Sequence, residues 1–130
     1  MSPAVTFSTF VRAANEWKLS VPERLKLLGG MSRSTYYEIR DKELPNLSRD
    51  TWERIELFDH LTRCAREVVA NSLTTSPVSD YVRTRNPLFS SMSILVYLLS
   101  SGCRFMDLLD AKLKLDYTVK MVRKNQARSD

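Results

Sequence analysis

The stretch GMSRSTYYEIR, residues 30–40, crowds hydrogen-bonding side chains onto the start of a short helical pattern. Arg33, Tyr37 and Arg40 fall at i, i+4 and i+7 and share one helix face with Ser34. That face suits recognition of a polyanion. Arginine can pair with a guanine edge or a phosphate, while Ser34 and Tyr37 can bond phosphate or meet a thymine methyl. Ser32 stands at the cap position, and the free N–H groups behind it suit a phosphate. Met31, Thr35, Tyr36 and Ile39 point the other way, as anchors. Thr35 lies in the first turn and is also counted among the candidate contacts. The same residues describe an ordinary capped helix with packed tyrosines, so the pattern alone leaves both readings open.

Other reactive side chains form no recognised pattern. His60 is the one histidine, and it sits between Asp59 and Leu61 with no sequence neighbour to work with. Cys64 and Cys103 lack CxxC spacing, so we expect buried, reduced thiols and no metal site. Glu53, Glu56 and Asp59 lie about a turn apart and read as ion-pair partners for Arg49, Arg54 and Arg63. Without a Ser/His/Asp grouping or a phosphate loop, the sequence predicts a non-enzyme with no cofactor.

The elements that position these groups read as all-α. Phe7, Phe10, Ala14 and Trp17 mark a first helix of about three turns. Ser20 and Glu23 have capping-box spacing and Pro22 sits in the first turn of a second helix, with Leu25 and Leu28 apolar and Gly29-Gly30 at its end. Ser32 opens the third helix, and residues 41–46, with Pro45, read as a loop. Two short helices joined through glycine have helix-turn-helix spacing. A long helix runs from about Arg49 to Asn71. It carries two apolar stripes, Trp52, Ile55, Phe58 and Val69, and Leu57, Leu61, Cys64 and Val68, so it must lie between two layers or in a subunit interface. SLTTSPVS is a polar break, followed by a short helix around Tyr81-Val82 and a turn at Arg85-Asn86-Pro87. The run SMSILVYLLSSG fits a strand or a helix. We favour a helix capped by Ser91 or Ser93 and ended by Gly102, with Phe105, Leu108, Leu109 and Leu113 continuing beyond it. Residues 117–130 form a basic tail, helical in part or disordered.

The net charge is +5. Residues 1–59 balance nine basic against nine acidic side chains, whereas residues 60–130 hold eleven and six. A polyanionic partner follows more readily from where the charges sit than from this sum. The first residues lack a signal-peptide pattern and the longest apolar run is too short to span a bilayer, so we expect a cytoplasmic protein with no membrane partner.

WKLSVPERLKLLGGMSRSTYYEIR, LPNLSRDTWERIELFDHL and RNPLFSSMSILVYLLSSG, in that order, resemble the MbcA/ParS/Xre antitoxin family. The likeness covers roughly residues 17–115. Asn86-Pro87-Leu88-Phe89, leading to Gly102, is its most specific part. Where the family has glycines after the phenylalanine and a Ser-Pro helix start, this chain has Ser90-Ser91-Met92 and Ser93-Ile94. The resemblance implies the antitoxin half of a type II toxin–antitoxin pair. Its partner is expected to be a RES-domain toxin that consumes NAD or transfers ADP-ribose.

The organisation it implies is a helix-turn-helix module at residues 1–47 contacting operator DNA through Ser32, Arg33, Ser34, Thr35, Tyr37 and Arg40. Residues 48–117 would bind toxin and dimerise, and residues 118–130 would form the tail. The expected toxin contacts are Arg85, Asn86, Pro87, Leu88, Phe89, Leu95, Leu98, Leu99, Gly102 and Arg104, with Arg83 and Tyr97 nearby. Steric cover of the toxin pocket would neutralise it. The protein would act as a homodimer within a larger complex. The alternative is a dimeric helix-turn-helix regulator without a toxin partner.

Overall fold

The computed structural model describes residues 6–42, 47–72, 76–100 and 102–129. It is all-α, with seven helices and no strand among the described residues. The first is α1 (Phe7–Glu16), opened by a reciprocal capping box between Thr6 and Thr9. It turns Phe7, Phe10, Ala13 and Ala14 inward, as the 3.6-residue period requires.

The second helix, α2 (Val21–Leu27), starts as its sequence predicts. Ser20 accepts from the Glu23 N–H, Glu23 reaches back to the Ser20 N–H at 2.7 Å, and proline occupies the first turn. Leu27 and Leu28 are its buried residues, while the expected anchor Leu25 is half-buried. Gly29 and Gly30 both have φ near +89°, a left-handed turn that glycine adopts without strain. Their N–H groups bond back to the Lys26 and Leu25 carbonyls.

Helix α3 (Arg33–Lys42) begins on Ser32, whose Oγ accepts from the Thr35 N–H at 3.2 Å. It includes Asp41 and Lys42, which the sequence reading gave to the loop. The rest of that expected loop, residues 43–46, lies outside the described residues.

Helix α4 (Arg49–Ala70) is the axis of the fold, capped by Ser48 and ended at Asn71. Its two apolar stripes separate two layers, which is the first of the two expected arrangements. Toward α1, Phe58 meets Phe10 and Trp17 with ring centroids 5.3 and 4.7 Å apart. The Trp17 indole donates to Thr62 Oγ1 at 3.0 Å, and Thr62 donates to the Phe58 carbonyl. Burying an aromatic of this size contributes about 1.5–3 kcal/mol.

Toward the other layer α4 packs on α7 (Phe105–Ser129). Leu108, Ala111, Leu115 and Val119 are buried apolar positions of α7, whereas the expected anchor Leu113 is 67% exposed. The basic segment from residue 118 to 129 continues α7 as helix, so no disordered tail begins at 118.

The polar break at residues 72–79 contains residues 73–75, which lie outside the described residues. Its last two residues already open α5 (Val78–Tyr81), and a 3-10 turn (Pro87–Phe89) and α6 (Ile94–Ser100) follow. The run that allowed strand or helix is a helix, and Ser93 rather than Ser91 caps it, accepting from the Val96 N–H at 3.0 Å. Gly102, at φ +81°, follows its end.

Candidate nucleic-acid interface

Helix α3 is held by two side chains that its sequence places on one face. Tyr36 and Ile39 are buried, and the Tyr36 hydroxyl accepts from Arg24 at 3.1 Å. Arg24 also bonds the Leu19 carbonyl and Asn15 Oδ1, and so ties α1, α2 and α3 together. With that face fixed, Ser32, Arg33, Ser34 and Thr35 all stand exposed at the helix start. The inward assignment of Thr35 is corrected: its hydroxyl accepts from Ser32 Oγ at 2.8 Å on the outer surface.

Tyr37 and Arg40 differ from Arg33. Tyr37 is half-buried, edge-on to Tyr36 at 5.5 Å, and contributes packing as well as a hydroxyl. The Arg40 guanidinium lies 4.7 Å over the Tyr37 ring and bonds Asp41 at 2.9 Å. That pairing raises its pKa further above the usual arginine value. An exposed first turn with surface hydroxyls and an arginine can contact phosphates and base edges. The held arginine is less available for it.

The turn before α3 rests on α4 through Arg54. Its side chain is only 11% exposed; Nε bonds Asp50, and Nη1 donates to the carbonyls of Leu27 at 3.4 Å and Cys103 at 2.8 Å. One guanidinium therefore joins the end of α2 to Cys103, two residues before α7. Sequence spacing offers Glu53, Glu56 and Asp59 as partners for Arg49, Arg54 and Arg63. The actual carboxylate of Arg54 is Asp50, one turn earlier. The other expected pairs, Arg49 with Glu53 and Arg63 with Asp59, do form.

The expected toxin-contact residues divide by burial. Phe89 and Leu98 are fully buried and Leu95 nearly so. Their expected role as presented anchors is corrected, because they pack the inner side of the loop and of α6. Phe89 lies edge-on to Tyr97 at 5.2 Å, and Lys114 from α7 lies over both rings. Tyr97 donates to Asp110, which also holds Lys114 at 2.8 Å.

Asn86 is a cap: its Oδ1 accepts from the Leu88 N–H at 3.0 Å, and its own N–H reaches the Met92 carbonyl at 2.9 Å. A bridge between Arg85 and Ser93 closes the loop. Arg83 donates to the Trp17, Lys18 and Ser79 carbonyls, so it braces the first layer and does not rim a partner surface. Arg85, Pro87, Leu88, Gly102 and Arg104 are exposed, and Leu99 is half-buried. Arg104 pairs with Asp107.

Residues 2–58 match the antitoxin Xre-like helix-turn-helix domain. The match spans α1, α2, α3 and the first half of α4, including the Arg54 tie. The N-terminal part of the chain is thus similar to an Xre-like helix-turn-helix domain. The uncharacterised protein y4oB of Sinorhizobium fredii is 29% identical over 107 residues, covering 82% of this chain and 78% of that protein. No solved structure matches the chain. No described helix is long and apolar enough to cross a membrane.

Outside the Xre-like domain, the fold gives His60 a neighbour that spacing could not reveal. Its Nε2 lies 2.6 Å from Asp116 Oδ1, contributed by α7, and Cys64 Sγ lies 3.6 Å from the same oxygen. Burial, then the nearby Asp116 charge, pushes the Cys64 thiol up to about 11. Burial does the same for Cys103. The sequence signal was confined to His60 and Cys64 at i, i+4 on one helix face; Asp116 lies too far along the chain to be paired by inspection.

Proposed function

We propose that the chain is the antitoxin of a type II pair. In this reading the Xre-like domain binds the operator of its own operon and represses it. The C-terminal helices cover the active site of a RES-domain toxin that consumes NAD or transfers ADP-ribose. The protein acts in the cytoplasm by binding rather than catalysis, as a homodimer in which two copies of α3 meet two half-sites.

The observation that carries the DNA-binding half is the exposed first turn of α3, with Ser32, Arg33, Ser34 and Thr35, inside the matched domain. The toxin half is supported by exposed Leu88 beside Arg85 and Pro87, and by the apolar side chains that α7 leaves in solvent, Met106, Leu113 and Tyr117. Partner surfaces need such anchors with polar neighbours.

Separation of the two activities tests this reading. Arg33→Ala with Tyr37→Ala should abolish binding to the DNA upstream of the gene while preserving neutralisation of the toxin. Leu88→Glu with Leu113→Glu should do the reverse, with helicity checked by circular dichroism in both variants. Loss of DNA binding alone from both pairs would reject the antitoxin. A second reading, the dimeric regulator without a toxin, draws support from the burial of Phe89, Leu95 and Leu98, which leaves fewer anchors for a partner. In that case the exposed side chains of α7 serve self-association.

A further inference from the structure

We propose that His60, Cys64 and Asp116 form a binding site for one thiophilic divalent cation, zinc in the first instance, at the junction of α4 and α7. His60 Nε2, Cys64 Sγ and an Asp116 carboxylate oxygen lie within 4.8 Å of one another. His60 and Cys64 are one turn apart on α4, the spacing that lets two side chains of one helix grip the same ion. Asp116 supplies the third donor from the facing helix. In a tetrahedral zinc site with bonds of about 2.0–2.3 Å, neighbouring donors stand about 3.3–3.8 Å apart. Cys64 and Asp116 already have that separation at 3.6 Å. His60 and Asp116, at 2.6 Å, need only part by about 1 Å as the ion replaces their hydrogen bond.

The donor set selects the class of ion. One imidazole, one thiol and one carboxylate suit zinc or cobalt, not magnesium or calcium, which prefer all-oxygen sites. A cavity of about 590 Å³ opens on the same three residues, leaving room for a water as the fourth ligand. Glu67, one turn beyond Cys64, lines it too.

The basic side chains around the cavity are mostly engaged: Arg63 with Asp59, Arg123 with Glu67, and Lys112 with Asp116. Lys120 also lines it and opposes a cation. Binding offsets that repulsion by releasing the Cys64 thiol proton to solvent, so the ion meets a thiolate and a carboxylate. Because Cys64 must lose its thiol proton to bind the ion, affinity rises as pH rises.

Cobalt is the probe. Titrating the reduced, chelator-treated full chain should produce thiolate-to-cobalt charge-transfer absorption that saturates at one ion per chain and is displaced by zinc. The band should vanish in Cys64→Ser and persist in Cys103→Ser. A wild-type chain that gives no such band, or a band that survives in Cys64→Ser, overturns the site. A second measurement needs no variant: excess zinc should raise the wild-type melting temperature and a chelator should reverse it, whereas an unchanged melting temperature counts against the proposal.

Discussion

Arg33 and Arg40 stand seven residues apart on one helix face, yet their surroundings give them different roles. Arg33 is exposed in the first turn, whereas Arg40 is held by Asp41 and the Tyr37 ring. Arg33→Ala should therefore weaken operator binding by about 1–3 kcal/mol, the cost of losing a base-reading arginine. Arg40→Ala should cost less, and fluorescence anisotropy on the same duplex compares the two directly. Spacing revealed which side chains share this face but not that Asp41 continues the helix and captures Arg40. Arg54 is the opposite case, since its two carbonyl partners come from distant parts of the chain and no local pattern announces them. Arg54→Leu should lower stability by about 1.5–3 kcal/mol, read from the urea midpoint, because a charged donor to two carbonyls is lost.

Elements were legible wherever a cap or a period stood in the sequence. Thr6, Ser20, Ser32, Ser48 and Ser93 each accept from an N–H in the first turn of the helix that follows. The phase of α7 was less legible. The buried row is Leu108, Ala111, Leu115 and Val119, and hydrophobicity alone could not prefer it over the row containing exposed Leu113. Turns carry sharper expectations. Gly29→Ala should cost more than Gly30→Ala. Both incur about 1–2 kcal/mol of left-handed strain, but only at Gly29 would the new Cβ lie 3.1 Å from Arg54 and 3.2 Å from Asp50. Thermal melting of the two variants checks the order.

Ser90 and Ser91 stand where the resembled family has glycine, and both have positive φ, +56° and +63°. Ser90→Gly should raise stability, by up to about 1 kcal/mol, as relief of left-handed strain exceeds the extra chain entropy of glycine. The α6–α7 contact should also weaken in acid. Hydrogen bonds from Lys114 and then Tyr97 hold the Asp110 carboxyl below its usual range. A depressed carboxyl stabilises the fold above its unfolded pKa, near 3.8, and loses that contribution as pH falls through the lower folded value. Asp110→Asn should flatten that part of the melting-temperature profile.

At the scale of the whole molecule, the net charge misleads. The entire +5 comes from residues 60–130, whereas the matched domain, residues 2–58, lies in the balanced half. Each phosphate neutralised on double-stranded DNA contributes about −0.9 to the slope of log affinity against log salt. Lys120→Gln with Lys124→Gln should leave that slope unchanged, although it removes two positive charges, while Arg33→Ala should reduce it by about one. The two halves also share one core, since α2 touches α6 and Arg54 bonds the carbonyls of Leu27 at the end of α2 and of Cys103 ahead of α7, a union that local periodicity does not show. The central claim, that this molecule represses and neutralises, is tested most directly by co-expressing it with the product of the neighbouring open reading frame. Size-exclusion chromatography and growth are then read together. The account predicts a stable complex and growth restored by this chain to cells that the neighbour alone arrests. A harmless neighbour that does not co-purify would contradict it and leave the operator-binding regulator.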